Sequence, residues 1–134
     1  MKRLILLTAV LLLSLYSCRS EQDDDLDNSA YVGTWQWVST NPGNGGPLET
    51  PETTETQATL IFTTDGSYQF TEDGQIVNQG TYKLYIDVTD TDHSEKVFID
   101  FSGREDLMVF SITESQLILV EDKSAGKTFA YSKQ

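Results

Sequence analysis

The sequence predicts an all-β domain: a single small antiparallel up-and-down barrel of about eight strands, with no substantial helix after an N-terminal leader. Three observations carry this prediction. A chain of 134 residues holds one domain. No ten-residue stretch from Tyr31 onward shows helical periodicity. The same region divides into short runs rich in β-branched and aromatic residues, separated by Asp-Gly, Gly and Ser/Asn clusters.

Taken in order, the predicted strands are 31–39 (YVGTWQWVS), 59–63 (TLIFT), 67–71 (SYQFT), 75–87 (QIVNQGTYKLYID), 96–101 (KVFIDF), 106–113 (DLMVFSIT), 116–121 (QLILVE) and 127–133 (KTFAYSK). Turn chemistry sets the expected register. If 64–66 (TDG) and 72–74 (EDG) are three-residue loops with glycine in the left-handed region, Leu60 and Phe62 face Phe70 and Tyr68, and Phe70 faces Ile76. A two-residue Asp-Gly loop would set Phe62 opposite Gln69 and throw the apolar rows out of phase, so the longer loop is expected.

Downstream, a four-residue loop at 102–105 (SGRE) and a two-residue turn at Glu114-Ser115 align Val97, Ile99 and Phe101 with Met108, Phe110 and Ile112. Leu117 and Leu119 continue that inner row. The opposite face then carries Phe98, Leu107, Val109, Ile118 and Val120, where a water-facing wall should be polar. Such a row implies cover, either by the chain's own tether and loops or by a partner or second copy.

The N-terminus is set apart from this pattern. Lys2 and Arg3 precede an apolar run, Leu4 to Leu15, broken only by Thr8 and Ser14. That run is shorter than the ~20 residues a membrane-spanning helix needs, and its basic front and small-residue exit are those of a secretory signal over residues 1–17. Leu15 and Ser17 stand three and one residues before the single cysteine, Cys18, in a pattern that resembles the lipobox of bacterial lipoproteins. Tyr16 is bulkier than that family usually has at its position. The resemblance implies that Cys18 becomes the mature N-terminus, with a diacylglyceryl thioether and an amide-linked acyl chain such as palmitate. Each buried methylene contributes ~0.8 kcal/mol, so such chains hold a protein at a membrane permanently. The location this resemblance implies is the cell envelope, at the outer membrane, on either face. Residues 19–30 (RSEQDDDLDNSA) have five acids and one leucine, so 18–30 is expected to be an acidic flexible tether. Its acidic cluster also resembles the surface-export signals of some Gram-negative lipoproteins, with Arg19 in place of the aspartate that marks inner-membrane retention.

Residues 31–134 form the predicted barrel. Gly33-Thr34-Trp35 in its first strand, a long first loop, the pattern LIFTTDGSYQF and the later GTYKL resemble the lipocalin-like domain of small Gram-negative lipoproteins. The resemblance implies that Gly33 permits close backbone approach and that Trp35 plugs the closed end. It also implies a basic side chain over that tryptophan. No arginine occupies the last strand, which leaves Lys127 and Lys133 as the candidates. The family's Thr-Asp-Tyr turn and C-terminal helix have no counterpart, since Thr113-Glu114-Ser115 keeps only the threonine.

Function narrows accordingly. Trp37, Phe62, Tyr68, Phe70, Tyr82, Phe110 and Tyr131 are the candidate lumen residues, with Phe101 and Phe129. Their bulk favours a packed interior, whereas the resemblance implies a ligand, and an eight-stranded barrel admits either outcome. The first loop (40–56, TNPGNGGPLETPETTET) lacks periodicity and is long enough to be a functional lid or simply mobile. Loss of residues 1–17 removes two cations and no acid, leaving seven basic against 21 acidic residues, a charge of −14. Nucleic-acid binding is excluded on that charge. His93 is the single histidine and lies in a polar loop, no second cysteine exists, and Asp90, Asp92 and Ser94 lack the glycine and bidentate glutamate of an EF-hand loop. No catalytic residue, metal or cofactor is therefore expected. A non-catalytic module that binds a small apolar molecule, glycan or peptide at the mouth is the leading expectation. The alternative is an anchored scaffold that docks an envelope protein through its outer apolar row.

Overall fold

The computed structural model describes residues 26–134, and within them the chain forms a closed eight-stranded antiparallel barrel in simple sequential order. The strands are β1 (Gly33–Asn41), β2 (Ala58–Phe62), β3 (Ser67–Glu72), β4 (Gln75–Val88), β5 (Glu95–Phe101), β6 (Leu107–Ile112), β7 (Gln116–Val120) and β8 (Thr128–Lys133). One helical turn, α1 (Pro51–Thr54), interrupts the first loop. Cys18, the leader 1–17 and tether residues 18–25 lie outside the described residues.

Residues 26–30, expected to belong to the tether, dock on the barrel. Leu26 packs against the core, and the Asn28 side-chain amide donates to the Tyr82 hydroxyl at 2.8 Å. That hydroxyl in turn donates to the Thr63 carbonyl at 3.0 Å, so the entering chain is clipped to the β2–β3 loop.

Alternation and turn chemistry explain the first hairpin. Leu60 pairs with Phe70 and Phe62 with Tyr68 across a three-residue loop that ends in Gly66 at φ +90°. The second hairpin differs from expectation. Its loop is the two residues Asp73 and Gly74, both at positive φ, the twist that matches flanking strands best. The apolar rows stay in phase because β4 carries a bulge: Phe70 pairs with Asn78 while Thr71 pairs with Ile76, leaving Val77 over. Phe70 therefore does not face Ile76, which is exposed.

The same device recurs on β1 and β6. Trp37 pairs with Tyr131 and Ser39 with Ala130, which leaves Val38 over. Val109 pairs with Leu119 and Ser111 with Ile118, which leaves Phe110 over. Each surplus residue is expelled outward: Val38, Val77 and Phe110 are 44%, 54% and 61% exposed. The bulge on β6 corrects the expected phase of that strand. Ile112 and Leu117 pair across the two-residue Glu114-Ser115 turn as expected, but Leu107 and Val109 point inward and join the core. Phe110, expected in the lumen, lies outside. Phe98 accordingly pairs with Met108, and Ile99 with Leu107.

The interior fills from the closed end. Trp35, Leu60, Ile99, Leu117 and Leu119 are fully buried, and an aromatic cluster occupies the β2–β5 side. Phe62 meets Tyr82 at 4.7 Å between ring centroids, and Tyr68 meets Phe101 at 4.9 Å, both edge-on. The Tyr68 hydroxyl sits 2.6 Å from Asn78 Oδ1 and from the Ser102 carbonyl, which satisfies its polar end within the wall.

β5 and β6 share only two ladder pairs. Beyond them the β4–β5 hairpin leaves the wall and folds back over the outside of β6 and β7. Its tip is tied there by Asp122, which accepts from the Asp90 backbone N–H at 2.8 Å and the Thr91 hydroxyl at 3.1 Å. The departure leaves a side cleft of about 380 Å³ bounded by Ile86, Val97, Phe110, Ile112 and Tyr31.

Candidate functional site

In an antiparallel meander, the loops after β1, β3, β5 and β7 gather at one end of the barrel. The opposite end is closed. Trp35 is wholly buried there, and its indole N–H donates to the Tyr31 carbonyl at 2.8 Å. The Lys133 ammonium lies 4.5 Å from the centre of the indole ring, so of the two candidate lysines it is Lys133 that covers Trp35. Gly33 makes room for it: the backbone has φ +134°, and a Cβ at this position would stand 2.7 Å from Lys133 Cε.

The open end is built by the first loop and three hairpin turns. Thr40 and Glu49 exchange backbone hydrogen bonds of 2.9 Å, folding the loop across the mouth. Thr50 then caps α1 in a reciprocal capping box with Thr53, and Pro51 occupies a first-turn position where its missing N–H costs nothing. A loop whose composition carries no periodicity thus has a defined second half.

Beneath it lies a cavity of about 340 Å³. Trp37, Phe70, Phe129 and Tyr131 give its apolar wall, Thr40, Thr54, Thr56 and Thr71 add hydroxyls, and Glu49, Glu72 and Arg104 supply charge. The Trp37 indole N–H is already engaged, donating to Thr40 Oγ1 at 2.9 Å. Tyr131 differs: it is 6% exposed, and among the described residues its hydroxyl has no hydrogen-bond partner. Burial pushes its phenol well above the usual range, opposed only by the positive charge of Arg104 nearby, so the O–H stays protonated and able to donate.

Arg104 reaches this site from the β5–β6 loop. Its guanidinium stacks 4.1 Å above the Phe70 ring and 5.7 Å from that of Phe101. No carboxylate among the described residues pairs with it; the ion pair present there joins Lys123 to Glu121 at 3.7 Å. Sequence reasoning sought a cation on the last strand and so overlooked Arg104. The meander itself held the signal, because a β5–β6 loop must share the mouth with the first loop.

The candidate residues thus separate into groups. Trp37, Phe70 and Tyr131 come together at the mouth, whereas Phe62, Tyr68 and Tyr82 are packed in the filled part of the barrel. Of the expected outer patch, Phe98, Ile118 and Val120 do face outward, while Leu107 and Val109 do not. The outward row has cover from the chain itself. Tyr85 stacks on Phe98 at 5.4 Å and donates its hydroxyl to Asp106 at 2.5 Å, and Thr91 and Asp92 of the folded-back hairpin flank Met108, Ile118 and Val120.

His93 sits in the tip of that hairpin at φ +58°, exposed. Asp92 beside it accepts from the Thr89 hydroxyl and from the Ser94 N–H and hydroxyl, which holds its carboxyl down at about 2. Among the described residues no three His, Cys, Asp or Glu side chains converge as a metal site, and no helix is long and apolar enough to cross a membrane. No family model and no curated protein matches the chain.

Proposed function

We propose that this chain is a lipoprotein of the cell envelope, anchored through acylated Cys18, whose lipocalin-like barrel is a non-catalytic binding module for a small, mainly apolar molecule held at the mouth. The observation that carries the reading is the cavity of about 340 Å³ under the first loop, walled by Trp37, Phe70, Phe129 and Tyr131. Its size falls at the lower end of small-molecule sites, about 300–1,000 Å³, and its four aromatic residues share the wall with seven polar or charged ones, so the ligand needs polar groups beside its apolar part. The filled closed end confines the ligand to the mouth, so the aromatic bulk and the expectation of a ligand are compatible. Docking through the outer row is the weaker reading, because the β4–β5 hairpin already occupies that wall.

Two measurements test the proposal. N-phenyl-1-naphthylamine, a neutral apolar fluorophore, should bind at one site per chain, and Trp37→Ala should weaken it without unfolding the barrel. Absence of saturable binding refutes the mouth as a ligand site. For the anchor, Cys18→Ser should abolish incorporation of labelled palmitate and release the protein from membranes; unchanged incorporation refutes it.

A further inference from the structure

We infer that the side cleft beside the folded-back hairpin is a self-association site: a second copy of this chain seats its Phe110 in the cleft and receives the first copy's Phe110 in return, about a two-fold axis next to Ser111. The inference is independent of what the mouth binds.

The cleft exists because the wall is incomplete there. No ladder pair joins residues 95–97 of β5 to residues 109–112 of β6, so backbone N–H and C=O groups along the facing edges lack strand partners. Such an edge is a template for another chain unless charge or proline blunts it, and the β6 stretch Val109-Phe110-Ser111-Ile112 carries neither. The bulge adds a knob to this opening. Phe110, 61% exposed, stands on the rim of a cleft of about 380 Å³ lined by Ile86, Val97 and Ile112, and Ile86 is itself exposed. At ~30 Å³ for each small group, a phenylalanine side chain needs about 210 Å³, so the cleft admits one. Knob and hole on one face of the same chain are what an isologous pair requires, since each copy then offers what the other lacks.

Charge selects this occupant over others. The whole chain carries a net charge of −12, so two copies meet with least repulsion where the local charge sums to zero. Glu95 and Lys96 both line the cleft and cancel, and neither forms an ion pair among the described residues. A two-fold sets Lys96 of one copy toward Glu95 of the other, which makes the rim complementary to itself. A cationic partner would be drawn instead to the separate groove where Asp87, Asp90, Glu105, Asp106, Glu121 and Asp122 gather. The chain's own N-terminus is a poor occupant too: Asn28 is tied toward Tyr82 and the β2–β3 loop, and residues 19–25 (RSEQDDD) hold no apolar side chain.

Disulfide trapping of the full chain in isolated cell envelopes tests this. Ser111→Cys should give a symmetric cross-linked dimer on oxidation, at least tenfold faster than the unsubstituted chain or Thr81→Cys, an exposed position on another part of the wall. Adding Phe110→Ser should cut that rate about tenfold, the scale of a lost aromatic anchor, while the purified variant keeps the circular dichroism spectrum of the barrel. Lys96→Glu and Glu95→Lys, each combined with Ser111→Cys, should slow trapping several-fold, and co-expression of the two should restore it as a mixed dimer, because one copy then presents two acids and the other two bases. Contact between copies predicts that rescue, and contact with a different protein does not. Absence of a dimer, trapping that ignores Phe110→Ser, failure of the mixed pair to recover, or cross-linking of the new thiol to a different protein overturns the inference.

Discussion

Gly33 and Lys133 offer a quantitative test of how the closed end is held. Gly33→Ala places a methyl group 2.7 Å from Lys133 Cε and imposes φ +134° on an L-residue. The backbone conformation alone costs about 1–3 kcal/mol. Displacing the lysine from the Trp35 ring forfeits a further ~0.5–2 kcal/mol of cation–π attraction, for a total of about 1.5–5 kcal/mol. Lys133→Ala alone should cost ~0.5–2 kcal/mol for the same lost attraction. In the double variant the clash is relieved, because the three atoms nearest the methyl group all belong to the missing lysine side chain. The double variant should thus be more stable than the sum of the singles predicts by about 1 kcal/mol. Urea unfolding followed by tryptophan fluorescence reads all four stabilities. Additivity to within about 0.3 kcal/mol would show that the two residues do not share this space and would refute the argument.

Other outcomes follow from the corrected register and the clipped N-terminus. Val109→Asp buries a carboxylate in the core and should unfold the barrel, whereas Phe110→Ser on the adjacent bulge should change stability by less than about 0.5 kcal/mol; circular dichroism melts separate the two, and the reverse order would restore the unbulged register. Asn28→Ala should cost about 1 kcal/mol by releasing the Tyr82 hydroxyl from the entering chain, measured by urea midpoint, and no loss would mean that residues 26–30 add nothing to stability. Asp92 is held below its ordinary value of 3.8, so its hydrogen bonds to Thr89 and Ser94 support the fold above that pH and are lost only as pH falls through about 2. A carboxyl ¹³C titration should give a midpoint near 2, and a midpoint near 3.8 would show that the turn does not form those bonds.

Much of this architecture is legible in the sequence for a definite reason. At Leu60, Phe62, Tyr68 and Phe70, apolar alternation and an Asp-Gly loop constrain the same register, and each alone would leave it open. Where the two signals separate, the reading slips. A bulge adds one residue without altering composition, so Val77 and Phe110 are indistinguishable from inward residues until the partner strand is known. Reading back from Ile112 through an unseen bulge moved Leu107 and Val109 to the wrong face. The site was partly legible for a different reason. Trp37, Phe70 and Tyr131 follow from alternation, but their meeting with Arg104 depends on which loops share an end of the barrel.

The fold-back of the β4–β5 hairpin has a mechanical consequence. A closed ring of strands is stiff because widening it anywhere strains every rung, yet here the circle is joined at one place by two rungs alone, Phe98 with Met108 and Ile99 with Leu107. That joint works like the gap in a split ring. The remaining seams can stay intact while the circumference changes there, with the Asp122 tether across the outside acting as a stop. The gap lies beyond these two rungs on the side away from the mouth, next to Tyr31, so it interrupts the wall where the entering chain meets the barrel.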